Sequence, residues 1–256
     1  MIPVGDVERR LRAYRPLFQR IERATGRPVA VVRPGSYSSV VEGLLNGGVD
    51  VAALGPATYV EAKKGDANIV AFATIETRGG TYQLKGPYYQ SLLVTLADSR
   101  YTDIAALRGA HLGLSDPGST SGSLIPREQF APLLGVPLER YFGRISYTGN
   151  HARSVRALAT GEVDAAFIAS RLVEDAHVSG KLPGHKIRVL WTSPPIPYDP
   201  FVYRGQLCEP LRQQIRDAFL NPATEPSLSG LLREFDAVRF IPIEDSQYEG
   251  IRRLLD

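Results

Sequence analysis

Residues 116–123 read Asp-Pro-Gly-Ser-Thr-Ser-Gly-Ser. The Pro-Gly pair ends a strand, and three small hydroxyl residues in a row then occupy the first turn of a helix. The backbone N–H groups there have no intrahelical partners and the helix dipole is positive. Such a turn can cradle an oxyanion through Ser119, Thr120 and Ser121. N-capping by Ser119 or Thr120 is the structural alternative, although three consecutive hydroxyl residues exceed what one cap requires. Enzymatic readings of the stretch fail on residue type. The segment 118–122 is G-S-T-S-G, with Thr120 where a nucleophile elbow needs Ser, and Gly122 is followed by Ser123 and Leu124 rather than by a Walker lysine. The four histidines, His111, His151, His177 and His185, show neither H-E-x-x-H nor cysteine neighbours, so no metal and no cofactor is expected.

Three further segments carry residues suited to holding a small anion. Pro87-Tyr88-Tyr89-Gln90-Ser91 opens an apolar strand, where the tyrosines either line a ligand or pack at the strand end. Thr148-Gly149-Asn150-His151 sets a histidine at a helix start, as a cap, a core residue or a ligand contact. Asp199 lies in residues 193–200, whose four prolines impose an extended, stiff path suited to a crossover between lobes. Taken alone, Asp199 reads as a turn residue.

Alternating helical and strand periods surround these segments, as in an α/β fold with mostly parallel sheets. Helices are predicted over residues 7–24, with Pro16 kinking or dividing the first, and over 38–45, from Pro56, 120–134, 151–160, 209–220 and 246–255. Strands are predicted over 29–32, 49–54, 69–74, 91–96, 111–114, 163–168, 187–191 and 238–241. An internal similarity relates residues 44–54 to 158–168 at an offset of 114, each a helix end, a glycine stop and a strand. Carried back to the helix starts, the same offset pairs Tyr37 with His151. Both then stand beyond the carboxyl ends of strands, where open α/β sheets bind ligands.

The chain has 256 residues and a net charge of +3, with its arginines scattered rather than gathered in a stripe. A nucleic-acid partner is therefore not expected, and a small anion is. One to two domains suit this length. Cys208 is alone, reads as a buried structural thiol, and cannot form an internal disulfide. Residues 1–12 hold charged side chains and no apolar core of a secretory signal.

Together Tyr37 with V-V-E-G-L, V-D-x-A, Y-Y-Q-S-L-L-V, D-P-G-S-T-S-G with Pro126, G-N-H and S-P-P-I-P-Y-D-P resemble the phosphonate-, phosphite- and phosphate-binding proteins of ABC importers. The likeness runs from about residue 36 to residue 204. It implies a two-lobed type II periplasmic-binding fold, with residues 1–90 and 198–256 in one lobe, 91–197 in the other, and the ligand in the cleft between them. The same resemblance implies that Ser119, Thr120, Ser121 and His151 hold the oxyanion, while Tyr37, Tyr88 and Asp199 close over it from the other lobe. It implies as well a monomer outside the cytoplasm, with an ABC permease as partner. Two features depart from the pattern. Where amine-bearing ligands are taken, a carboxylate follows the V-D-x-A strand; Arg171 stands there, which argues against an aminoalkyl ligand and makes it, with Tyr89, a candidate for selectivity. The strand expected before the first helix is reduced to residues 1–4.

The function so read is a receptor for phosphite, phosphate or a short alkylphosphonate. A sensor presenting the same module to a kinase or regulator is the alternative. An enzyme using the Ser/Thr loop and His151 is disfavoured, since no carboxylate is placed in sequence to orient the histidine.

Overall fold

The computed structural model of the chain describes residues 7–182, 186–221 and 228–256. The strand expected at residues 1–4 and His185 lie outside them. Contacts divide the chain into two units. The first holds the described parts of Met1–Arg78 and Pro197–Asp256 together with Lys85–Pro87; the second holds Gly79–Leu84 and the described part of Tyr88–Ile196. The divisions thus fall between residues 78 and 88 and at 196/197, where the sequence placed them after 90 and after 197.

In the first unit the strands are ordered Val51–Ala53, Phe201–Tyr203, Val70–Thr77, Ala237–Ile241, and every neighbouring pair is antiparallel. The expected parallel sheet is corrected here for a topological reason. Val51–Ala53, the helix Pro56–Gly65 and Val70–Thr77 do form a unit whose two strands run the same way. However, Phe201–Tyr203, arriving from the proline-rich segment, is inserted between them and runs against both. That strand is buried along its length, and Phe201 meets Phe219 and Phe240 at ring-centroid distances of 4.8 and 5.6 Å.

The second unit has strands ordered Arg144–Tyr147, His111–Leu114, Ala165–Ala169, Ser91–Leu96, Ile187–Thr192. The first two pairings are parallel and the last two antiparallel. Again one strand, Ser91–Leu96, enters from the other unit and runs against its neighbours. Its residues alternate between two cores: Leu93 packs with Leu112, Phe130 and Phe167 on one face, Leu92 and Val94 with Leu158, Ile168 and Val173 on the other. Burial on both faces explains why its sequence is a continuous apolar run.

Several local expectations change. Residues 29–32 form no ladder, and Val31 and Val32 are exposed. Pro16 lies within one undivided helix, Val7–Thr25. The last expected helix is a short 3₁₀ turn, Asp245–Tyr248, followed by Glu249–Arg252. Cys208 is exposed, because it stands outside the first turn of Glu209–Leu220 instead of on its packed face.

The internal repeat holds to the residue. Tyr37–Leu45 and His151–Ala159 each have nine residues and an N-cap side chain, Ser36 or Asn150, accepting from the third helical N–H. Each is followed by a glycine at positive φ, Gly47 at 79° and Gly161 at 73°, which L side chains rarely adopt. The strands Val51–Ala53 and Ala165–Ala169 and the helices Pro56–Gly65 and Ser170–Val178 then begin at the same offset of 114.

Candidate functional site

Three parallel strands of the second unit end at one edge of the sheet. Beyond His111–Leu114 come Ser115 and the loop to Ser119; beyond Arg144–Tyr147 come Thr148, Asn150 and His151; at the end of the third stands Ala169. The antiparallel strand begins at the same edge, because Ser91 is registered against Ala169. The topology thus gathers polar residues from distant parts of the chain onto a buried apolar frame.

His151 is the centre of the cluster. It is 3% exposed, and burial holds its pKa down to about 4, so the ring is neutral at pH 7. The backbone N–H of Ala169 donates to Nδ1 at 3.2 Å. A backbone N–H can only donate, so Nδ1 carries the lone pair and the ring proton sits on Nε2. Ser115 Oγ lies 2.7 Å from the same Nδ1, hence as a donor. Behind it a hydroxyl chain runs to Ser154 (3.3 Å) and on to Thr148 (2.7 Å), whose hydroxyl is in reach of the carbonyls of Leu114 and Asn150.

The Nε2 proton faces Ser119 Oγ at 3.2 Å and Ser121 Oγ at 3.1 Å. Ser119 Oγ also accepts from Gly122 N–H at 3.1 Å. With oxygen lone pairs engaged by these donors, the serine hydroxyl hydrogens are left to point at an acceptor. The first intrahelical donors are Ser123 and Leu124, both to Ser119 O, so the amides of Thr120 and Ser121 precede the helical ladder. Hydroxyls, two amides and a neutral imidazole N–H, with no cation among them, are a donor set chemically able to hold an oxyanion.

The helical run 120–134 is not an ordinary α-helix. Thr120–Leu124 and Pro126–Phe130 follow the wide, five-residue register, and only Ala131–Leu134 is α. Gly122 sits so close to Ser115 that a Cβ there would lie 2.5 Å from Ser115 Cβ and Oγ.

The remaining candidates are distributed over both units. Tyr37 opens its helix in the first unit and is 1% exposed. Asp199, also in the first unit, has its carbonyl held by Thr74 Oγ1 at 2.9 Å, and its neighbour Tyr198 by the Tyr248 hydroxyl at 2.7 Å. Burial pushes the Asp199 carboxyl up to about 7, against the pull of Arg10. Tyr88 falls in the second unit, together with Ser119–Ser121 and His151 and apart from Tyr37 and Asp199. The reason is local: Gln83 Nε2 donates to Tyr88 O at 2.8 Å and Ser170 Oγ to Gln83 Oε1 at 2.7 Å, fastening the segment to the second sheet. Tyr88 is 41% exposed while Tyr89 is 6% exposed, so Tyr89 packs inward and Tyr88 is the accessible ring. Arg171 is buried, and its guanidinium pairs with Asp175 one turn along its helix.

Sequence reasoning missed Ser91, Ser115, Thr148 and Ser154. Ser115 was within reach, since it separates the predicted strand 111–114 from D-P-G-S-T-S-G. Ser154, inside a helix, carries no such signal.

The family of ABC transporter, phosphonate, periplasmic substrate-binding proteins matches residues 1–248. The chain belongs to that family. Similar proteins include the phosphate-import protein PhnD of Mycolicibacterium smegmatis, 30% identical over 95% of this chain and 80% of the relative. The phosphonates-binding periplasmic protein of Escherichia coli is 26% identical over 94% of this chain and 70% of its own length. Among solved structures, PhnD1 of Prochlorococcus marinus in complex with methylphosphonate superposes with a TM-score of 0.85 at 19% identity, covering 99% of this chain and 94% of that one. Members of this family are substrate-binding components of importers, not enzymes. The fold is accordingly that of the two-lobed type II binding proteins.

Proposed function

We propose that the chain binds a small phosphorus oxyanion, either a short alkylphosphonate, phosphite or phosphate, and delivers it outside the cytoplasm to an ABC permease. The observation that carries this reading is the convergence of the neutral His151 Nε2–H with the hydroxyls of Ser119 and Ser121 at a first turn whose amides precede the ladder. In this reading Ser119, Thr120, Ser121 and His151 hold one side of the anion. Tyr37, Tyr88 and Asp199 complete the shell, their roles carried over from the resemblance to the family. Pairing with Asp175 leaves Arg171 no net charge to offer, and no carboxylate replaces it at that position, so aminoethylphosphonate ranks below methylphosphonate. A thermal-shift panel of methylphosphonate, phosphite, phosphate, aminoethylphosphonate and sulfate tests the reading. A ligand at about 100 times its Kd adds about 2.7 kcal/mol of stability. A panel in which only aminoethylphosphonate or only sulfate stabilises the protein refutes it.

A further inference from the structure

Pro126 interrupts the helix that carries the cradle. Proline has no N–H, so two carbonyls lose a helical donor: that of Gly122, four residues back, and that of Ser121, five residues back. The wide register holds on both sides of the gap, since Ile125 N–H reaches Thr120 O and Ala131 N–H reaches Pro126 O. Ile125 being engaged with Thr120, the carbonyl of Ser121 has no helical donor in either register. Both carbonyls take a donor from outside the helix. Ser115 N–H donates to Gly122 O at 3.1 Å. Ser91 Oγ donates to Ser121 O at 2.6 Å. Ser91 is fully buried, and its own N–H is fixed by Ser193 Oγ at 2.9 Å, so the donor is anchored to the sheet at its base.

We propose that Ser91 is a positioning residue for the oxyanion cradle: its hydroxyl holds the Ser121 peptide in the wide turn, so that the Thr120 and Ser121 amides and the Ser121 hydroxyl converge on the anion. The proposal rests on the oxyanion reading above and needs no contact between Ser91 and ligand. Without the Ser91 hydroxyl, Ser121 O is a buried acceptor with no donor. The peptide then turns to find one, and the apparent affinity falls by the fraction of molecules still holding the competent turn. Pro126 keeps the helix from supplying that donor itself, and so preserves the dependence on Ser91.

Calorimetric titration with methylphosphonate, paired with melting curves of the unliganded proteins, tests this on the wild type, S91A, S91T and P126A. Binding to S91A is expected to weaken at least about fivefold, the worth of one such hydrogen bond, and S91T, which keeps the hydroxyl, to regain wild-type affinity. P126A supplies an N–H in reach of Ser121 O from within the helix, so P126A is expected to keep wild-type affinity, and S91A made in the P126A background to lose less affinity than S91A alone. A role in stability alone would lower melting temperatures and leave affinities unchanged. Wild-type affinity in S91A, or failure of S91T to restore binding, overturns the proposal. Should S91A not fold, S91C, which keeps the side chain's size with a far weaker donor, takes its place, and wild-type affinity in S91C overturns the proposal. A wild type that binds none of methylphosphonate, phosphite and phosphate overturns the oxyanion reading and this proposal with it, whereas a wild type that binds beside an indifferent S91A overturns this proposal alone.

Discussion

His151 is neutral and still has one N–H to donate, at Nε2. Burial keeps the ring uncharged, and the Ala169 N–H on Nδ1 leaves the proton on Nε2. Imidazole NMR should therefore show a lone pair on Nδ1 and no titration of His151 between pH 5.5 and 8, well above its pKa of about 4; a midpoint near the ordinary 6.5 would contradict this. The proposed cradle around it relies on amides as much as hydroxyls. Thr120→Ala should cost about 1.5–3 kcal/mol of binding, the range for a hydrogen bond to a charged group, and Ser121→Pro more, since it deletes an amide donor; calorimetry showing equal affinity in the wild type and both variants would refute the cradle. Asp199, with its pKa raised to about 7, is divided between acid and carboxylate at neutral pH. In its proposed place at the ligand it shares one proton with the anion: protonated it donates, ionised it accepts only from a ligand that keeps a P–OH. Sulfate has no proton to give, so its binding should strengthen as pH falls from 8 to 6 and Asp199 protonates, and Asp199→Asn should abolish that dependence. A sulfate affinity that is pH-independent in the wild type would exclude Asp199 from the site. The serine turn was legible at this scale from three hydroxyl residues between a Pro-Gly break and a helix, and Ser119 does make the N-cap that was its structural alternative, accepting from Gly122 N–H. The supporting hydroxyls of Ser91, Ser115 and Ser154 were not, because each is an ordinary small residue in its own segment and joins the cluster only where three strand ends meet.

At the scale of elements, the most informative feature is the close packing of the wide turn on the strand end beneath it. Gly122→Ala would place a Cβ 2.5 Å from Ser115 Cβ and Oγ and 2.9 Å from Ser119 Oγ. Ser115 must then leave His151 Nδ1, so methylphosphonate affinity should drop at least tenfold, with about 1–3 kcal/mol lost from stability as for other overpacked sites. Wild-type binding by Gly122→Ala would show that the Ser115–His151 contact is dispensable. The strands Ser91–Leu96 and His111–Leu114 match their predicted bounds because both faces of the sheet are covered, and the apolar run ends where the burial ends. The 114-residue repeat was likewise legible as far as Tyr37 and His151, and the structure extends it to the caps, where Ser36 and Asn150 make the same bond in both copies. Two features were not. The register of residues 120–130 depends on donors 11 and 35 residues away in sequence, at Ser115 and Ser91 as counted to Pro126, while local pattern reports only that the segment is helical. Strand direction was misjudged for a similar reason: βαβ spacing gives the direction of Val51–Ala53 relative to Val70–Thr77, but not that Phe201–Tyr203 comes to lie between them.

For the whole molecule, the two buried titrating groups act on stability in opposite directions. His151 in the second unit has a folded pKa near 4 against an ordinary 6.5. The unfolded chain binds more protons over that interval, so this contribution is complete above about pH 6.5 and about 3 kcal/mol of it is lost as pH falls to 4. Asp199 in the first unit has a folded pKa near 7 against 3.8. There the folded chain binds more protons, and stability is lost as pH rises through the same range. The two contributions therefore oppose each other between pH 4 and 6.5, and each is uncovered by removing the other group. Asp199→Asn should melt progressively lower as the solution is acidified, and His151→Gln progressively lower as it is made neutral; parallel profiles for the two variants in scanning calorimetry would contradict the assignment. Family membership fixes the architecture and the transport role, and what the chain carries is decided by the cradle. The most direct measurement is isothermal titration of methylphosphonate into the wild type and Ser121→Pro at pH 7. A saturable one-to-one heat in the wild type that is lost in Ser121→Pro is the predicted result, and either no binding to the wild type or undiminished binding to Ser121→Pro would contradict a phosphorus oxyanion held by the turn at Ser119, Thr120 and Ser121.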